Sequence, residues 1–301
     1  MPTLRGLGRP AIGVSVQASL LGDPGYAELA ASTFSSVTPE NELKWETVEP
    51  SHGHFDFSAG DRILSWASRH GLAVRGHTLV WHNQLPDGVK ASDLREHITG
   101  EMRHYRGKIH EWDVVNEAMG DDGKLRPDVF LAGLGPAYIA DAFRWAHAAD
   151  PAAKLFYNDY GIEGIGPKSD AVYAMVKALL ARGVPIDGVG FQTHVDTSAI
   201  PGFAANLRRF AALGLDVELT ETEVRLGDAQ SDPLHTQAVA YERIVAACRA
   251  VPRCTRITFW GLDDRDSFAP HAYPGFGRAT LFDDALKPKP AFAAVRAALR
   301  A

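Results

Sequence analysis

Eight short apolar runs alternate with longer amphipathic stretches along this sequence, and that rhythm limits the possible folds more than any other feature of it. The runs cover 11–16, 35–38, 73–79, 109–115, 154–157, 188–192, 215–220 and 257–260, each of strand length. Helical periodicity fills intervals at 61–70, 138–148, 170–182, 203–213, 235–250 and 291–299. Gly71, Gly183 and Gly214 each stand just ahead of a strand, where left-handed helix ends favour glycine. At 301 residues, eight such units predict a closed (β/α)8 TIM barrel, α/β in class. An open doubly wound sheet would alternate too. It usually carries a glycine-rich phosphate loop after its first strand, and Val16-Gln17-Ala18-Ser19 is not one. No Ser/Gly-rich linker or shift of composition marks a boundary, so 1–301 is expected to form one domain.

Bulk chemistry removes several function classes. A net charge of -6 without any Lys/Arg block argues against nucleic acid and against an anionic bilayer as partner. No stretch approaches the roughly 18 to 20 apolar residues of a membrane span. Arg5 and Arg9 ahead of the run 11–21 imitate a signal peptide, but Gly13, Ser15, Gln17 and Ser19 break it and Asp23-Pro24-Gly25 ends it. It reads as the first strand; a secreted protein, with a leader that is not part of this chain, is the expectation. Cys248 and Cys254 are too few for a disulfide scaffold or a four-thiolate zinc site. Their spacing allows a local bridge, closing a loop for about 2 kcal/mol, or two unrelated buried thiols.

In a barrel of this type the chemistry sits at the carboxyl ends of the strands. Those positions hold Glu40, Asn41, Lys44 and Trp45 after the second strand, then His77, Trp81, His82 and Gln84 after the third. Asn116-Glu117 close the fourth, Asn158-Asp159-Tyr160 the fifth, and Gln192 and His194 the sixth. Glu221 and Glu223 follow the seventh, and Trp260 the eighth, with Phe268 in the loop beyond. Aromatic faces that stack on sugar rings, with amides and acids that bind hydroxyls, suit a carbohydrate. Glu117 ends a β-branched strand, where an unpaired buried charge is costly; a rim salt bridge is the bland explanation. Glu221 has the same context. Glycoside hydrolysis needs such a pair, one carboxylic acid to protonate the leaving oxygen and one carboxylate as nucleophile. His52-Gly53-His54 lies in a Gly/Pro-flanked loop without a convergent third ligand, so neither metal nor cofactor is expected. A Gly-x-Ser-x-Gly turn is absent, which leaves a serine hydrolase without support.

The segments Thr38-Pro39-Glu40-Asn41-Glu42-Leu43-Lys44-Trp45, Gly76-His77-Thr78-Leu79-Val80-Trp81-His82-Asn83-Gln84, Trp112-Asp113-Val114-Val115-Asn116-Glu117, Asn158-Asp159-Tyr160, Gly190-Phe191-Gln192-Thr193-His194 and Trp260-Gly261 together resemble the family 10 glycoside hydrolases, endo-β-1,4-xylanases. The likeness runs from Leu4 to the last helix. It implies a retaining mechanism with Glu117 as acid/base and Glu221 as nucleophile. It also implies that Asn116 binds the 2-hydroxyl at the cleavage point and His194 hydrogen-bonds the nucleophile. Glu40, Asn41, Lys44, His77, Trp81, Gln84 and Trp260 are implied on the glycone side with Gln192 and Phe268 as further contacts, and Tyr160 as a stacking face on the aglycone side. Cys248 and Cys254 match a pair that often forms a disulfide in the family. Xylan and xylo-oligosaccharides are the implied partners of a monomeric enzyme. A mixed-specificity β-1,4-glycanase with the same acids is the alternative; a sugar-binding barrel that had lost catalysis would also have lost a carboxylate.

Two positions depart from the family pattern. Thr220-Glu221-Thr222-Glu223 stands where the family usually reads Thr-Glu-Leu-Asp, and Phe268 stands where it usually has a second tryptophan. Residues two apart on a strand point the same way, so Glu221 and Glu223 face one region and repel. His194 is expected between them, one ring nitrogen to each carboxylate. The competing arrangement turns Glu223 away to Arg225.

Overall fold

The computed structural model describes residues 3–227 and 232–301. Its strands, in chain order, are β1 (Ala11–Val16), β2 (Ser36–Pro39), β3 (Ala73–Val80), β4 (Glu111–Asn116), β5 (Lys154–Asp159), β6 (Gly188–Phe191), β7 (His194–Asp196), β8 (Asp216–Gly227), β9 (Cys254–Phe259) and β10 (Phe276–Gly277). Parallel pairing runs β1-β2-β3-β4-β5-β6-β8-β9, and β9 returns to β1 in the register Ala11↔Arg256 to Val14↔Phe259. The sheet is a closed (β/α)8 barrel, as expected. β8 is twelve residues long and outruns the expected 215–220, because two short strands pair with its upper half: β7 in parallel and β10 antiparallel.

Around it lie α1 (Pro24–Thr33), α2 (Trp45–Val48), α3 (Ser58–Arg69), α4 (Leu94–His104), α5 (Val129–Leu134), α6 (Tyr138–Ala149), α7 (Pro167–Ala181), α8 (Phe203–Ala211), α9 (Pro233–Arg249), α10 (Ala269–Ala272) and α11 (Pro290–Arg300). Proline opens α1, α7, α9 and α11, where its missing N–H has no bond to lose. Asp23 caps α1 by accepting from the Gly25 N–H at 2.8 Å. Gly71, Gly183 and Gly214 all have positive φ, between 62° and 89°, and end helices as their positions suggested. The sequence periodicity passed over α1 and α4. The buried side of α1 is mostly small, and that of α4 includes His97 and Glu101 among Leu94, Ile98 and Met102, which blurs the apolar stripe.

Apolar side chains fill the layer between sheet and helices, while the barrel interior is polar and ionic. Arg75 is fully buried; its Nε donates to Asp113 Oδ2 at 3.1 Å and its Nη1 to Glu218 Oε2 at 2.7 Å. Desolvating such ions costs about what their pairing returns, so the layer contributes little net stability. It contributes position instead: Asp113 also takes His77 Nδ1 at 3.0 Å, tying the ionic floor to the cleft above. Close packing is visible at Gly13, where a Cβ would stand 2.5 Å from Ser36 Oγ. Cys248 and Cys254 form a disulfide between the end of α9 and the start of β9, with Cα atoms 5.3 Å apart. Among the described residues no helix is long and apolar enough to cross a membrane.

Candidate active site

A cleft of about 550 Å³ opens over the carboxyl ends of the barrel strands. All the residues expected to act on the sugar line it except Glu223, which is wholly buried behind His194; of the other strand-end residues, Trp45, His82, Asn158 and Asp159 do not reach it, Trp45 stacking instead on His97. Asn83, Ala272 and Tyr273 line it as well.

Glu117 directly follows β4 and has φ of +56°, a left-handed conformation uncommon outside glycine. Its side chain meets only neutral donors: Trp81 Nε1 at 2.8 Å on one oxygen, and Gln192 Nε2 at 2.9 Å and Asn116 Nδ2 at 3.4 Å on the other. No rim salt bridge reaches it among the described residues. From Glu117 a chain of amides leads to Glu221. Gln192 Nε2 also donates to Asn116 Oδ1 (3.1 Å), and Asn158 Nδ2 donates both to Asn116 Oδ1 (2.9 Å) and to Glu221 Oε1 (2.8 Å). With two donors on its oxygen, the Asn116 amide has one orientation, its NH2 beside Glu117. Thr220 Oγ1 locks Asn158 in the same way at 2.6 Å.

The environment of Glu221 is cationic. His194 Nε2 lies 3.1 Å from Glu221 Oε2, and His194 Nδ1 lies 3.1 Å from Glu223 Oε1. The imidazole therefore bridges the two carboxylates, and Arg225 is engaged elsewhere, donating to the His194 carbonyl at 3.0 Å. Burial alone would lower His194 as a base, but the hydrogen bonds and charges of both carboxylates outweigh it and lift it to about 10. Burial would raise Glu221; the His77 charge, the bond and charge of His194 and the Asn158 amide reverse that and hold it at about 2. His77 Nδ1 is 3.9 Å from Glu221 Oε1.

One side of the cleft is a polar cradle. Lys44 Nζ donates to Gln84 Oε1 at 2.7 Å and to Asn41 Oδ1 at 3.0 Å, and stands 4.8 Å from the centre of the Trp81 ring. Burial lowers the Lys44 amine, against the pull of Glu221, Glu40 and Glu117. Burial also lifts Glu40 to about 7, although Ser15 Oγ and Gln17 Nε2 donate to it at 2.7 and 3.0 Å. Ser15 Oγ in turn accepts the Gly261 N–H at 2.6 Å, fastening β1 to the turn after β9. Trp260 meets His77 and His194 in T-shaped contacts, at ring separations of 5.4 and 6.2 Å. Phe268 packs 5.2 Å from His194 and 6.0 Å from Tyr273.

At the other side Tyr160 lines the cleft with Lys168 Nζ 3.3 Å from its ring centre. Lys168 also pairs with Asp159 at 3.1 Å and Asp121 at 3.2 Å. Burial pushes Asp159 up to about 7 despite that lysine. Sequence reasoning passed over Tyr273, Arg126 and Lys168, and took Asn158 only as part of a motif. Tyr273 carried a signal, an aromatic five residues after Phe268 in the same loop; the two cations carried none. Among the described residues no cluster of His, Cys, Asp and Glu is arranged to hold a metal ion.

Residues 5–298 match the model of glycosyl hydrolase family 10. The chain belongs to that family. Endo-1,4-beta-xylanase B of Thermotoga neapolitana is 41% identical to this family 10 chain over 284 residues, covering 90% of it and 82% of the relative. The crystal structure of native xylanase 10B from Thermotoga maritima superposes with a TM-score of 0.95 at 39% identity, covering 99% of this chain and 98% of that one. Xylanase 10B from Thermotoga petrophila, crystallised with xylobiose, gives 0.96 at 38% identity over 99% and 97%.

Proposed function

We propose that this chain hydrolyses internal β-1,4-xylosidic bonds of xylan and xylo-oligosaccharides by double displacement, with Glu221 as nucleophile and Glu117 as acid/base. The observation that carries the reading is the contrast between the two carboxylates. Glu221 lies against the His194 imidazolium and stays ionised, ready to attack the anomeric carbon. Glu117 is met by neutral donors only and lies at the cleft wall beside Tyr160. In the first step Glu117 donates its proton to the departing oxygen while Glu221 forms the glycosyl-enzyme; in the second, Glu117 takes a proton from water as that bond breaks. The oriented Asn116 NH2 suits the sugar 2-hydroxyl, a contact that strengthens as oxocarbenium character develops. Tyr160 offers the departing sugar a stacking face, and Trp81, Trp260, Phe268 and the Lys44 cradle take the other side.

Membership of family 10 and the xylanases among its relatives support the substrate class. Secretion belongs to the same proposal, supported by the Cys248–Cys254 disulfide, a bond that persists in oxidising compartments. The test follows xylan and a mixed-linkage β-glucan side by side, with the anomeric signal of newly released reducing ends read by NMR. Xylan is expected to be the better substrate and the β-anomer to appear first. First appearance of the α-anomer overturns the mechanism, and so does a carboxyl separation above roughly 6.5 Å in a crystal structure.

A further inference from the structure

The backbone of Glu117 is held in place by one residue of the loop that follows it. That loop turns tightly back on itself: the Gly120 N–H donates to the Lys124 carbonyl at 2.7 Å, Gly123 takes φ of +75°, and Met119 bridges Leu125. The turn returns Arg126 to the acid. Its own N–H donates to the Ala118 carbonyl at 2.8 Å, and its Nε donates to the Glu117 carbonyl at 3.1 Å. The same guanidinium reaches Tyr160, Nη2 to the phenol oxygen, at 3.1 Å. A non-glycine residue in the left-handed region persists only where its surroundings impose it. Here they consist of the Asn158 carbonyl, which accepts the Glu117 N–H at 2.9 Å, and Arg126 on the other side of the residue.

We propose that Arg126 is a positioning residue that sets the acid Glu117 and the aglycone platform Tyr160 in fixed register; this rests on the role assigned to Glu117 above. Proton transfer to the glycosidic oxygen needs the acid and the departing sugar aligned to a fraction of an ångström. Trp81 and Gln192 fix the carboxyl end of Glu117 by hydrogen bonds, while a side-chain hydrogen bond to Tyr160 comes from Arg126. Arg126 bonds to both residues. Its planar fork holds the two donors at a fixed spacing and angle, which an ammonium on a flexible stem does not. Lys168 holds the ring of Tyr160 by its face, and the hydroxyl is shared by Arg126 and the Asp121 carboxylate.

The experiment compares R126M, R126K, Tyr160→Phe and Glu117→Ala on xylotetraose and on aryl β-xylobiosides of graded leaving-group acidity. R126M is expected to lose about 100-fold in kcat/KM on xylotetraose, the scale of an ångström-level misplacement, and little in kcat/KM on a dinitrophenyl xylobioside, whose departure in the first step needs no proton. R126K should recover part of the loss, and Tyr160→Phe should show a smaller loss with the same leaving-group dependence. A loss by R126M that is equal on both substrates, or no loss, overturns the proposal. If R126M does not fold, the same comparison is read from R126K, where equal or absent losses count against it likewise. Glu117→Ala separates the two readings. Leaving-group dependence there without it in the Arg126 variants sinks only the positioning role; equal losses in Glu117→Ala sink the acid assignment itself.

Discussion

Replacing Glu223 with glutamine removes one charge from the buried Glu221–His194–Glu223 group and leaves an oxygen within reach of His194 Nδ1. An opposite charge at hydrogen-bond range shifts a histidine by about 1 to 3 pH units. His194, lifted to about 10 by its two carboxylates, should therefore titrate in E223Q at about 7 to 9. A raised histidine stabilises the fold fully below the free imidazole value, about 6.5. That contribution is lost as pH climbs through about 10 in the parent, and earlier in the variant. The difference in unfolding free energy between the two proteins is then about 1.4 to 4 kcal/mol in mild acid, closing as the pH passes about 10. A constant penalty is added, because Glu223 Oε2 has no hydrogen-bond partner and an amide NH2 there would find no acceptor. Below about pH 6 His194 stays cationic in both proteins, so Glu221 keeps its partner and the acid limb of kcat/KM should not move. Ring-nitrogen NMR of His194 and urea unfolding from mild acid to high pH read these quantities directly. A His194 titration unchanged in E223Q, or a stability gap that stays constant with pH, refutes the bridging role.

Glu221→Ala should abolish turnover on every substrate, whereas Glu117→Ala should gain rate and yield a β-glycosyl azide when azide is added to an activated aryl glycoside; an α-azide would contradict the assignment. Phe268→Trp restores a larger stacking face and an N–H donor beside His194, and should lower KM on short xylo-oligosaccharides; complete loss of activity would mean the loop cannot seat an indole. Cys248→Ala with Cys254→Ala opens a short loop and should cost about 2 kcal/mol in denaturant unfolding, with kcat unchanged because the bridge lies at the far end of β9 from the cleft.

The cleft was legible because a parallel barrel converts chain position into place. A residue at the end of a strand must face the mouth, so the polar ends of the runs named the site before any coordinate. Strand parity likewise aimed Glu221 and Glu223 at one histidine. The invisible parts depend on paths through space. Arg126 is nine residues beyond Glu117 and acts only because a hairpin returns it. Tyr273 depends on the course of the loop beyond Phe268, and the length of β8 depends on two strands that pair with it from elsewhere. His97 and Glu101 on the inner side of α4 hid a helix, since a buried polar pair reads as solvent-facing in any periodicity.

Ser15 receives the N–H of Gly261, a partner 246 residues downstream, on the seam where β9 meets β1. A ribosome adding about 5 to 20 residues per second needs roughly 12 to 50 s to make that partner once Ser15 has emerged. Through that interval the nascent sheet has two open edges, and β1 presents unpaired N–H and C=O groups to any neighbouring strand. The fragile stage of this protein's life is its synthesis, and expression yield should depend on how quickly the last quarter of the chain follows the first.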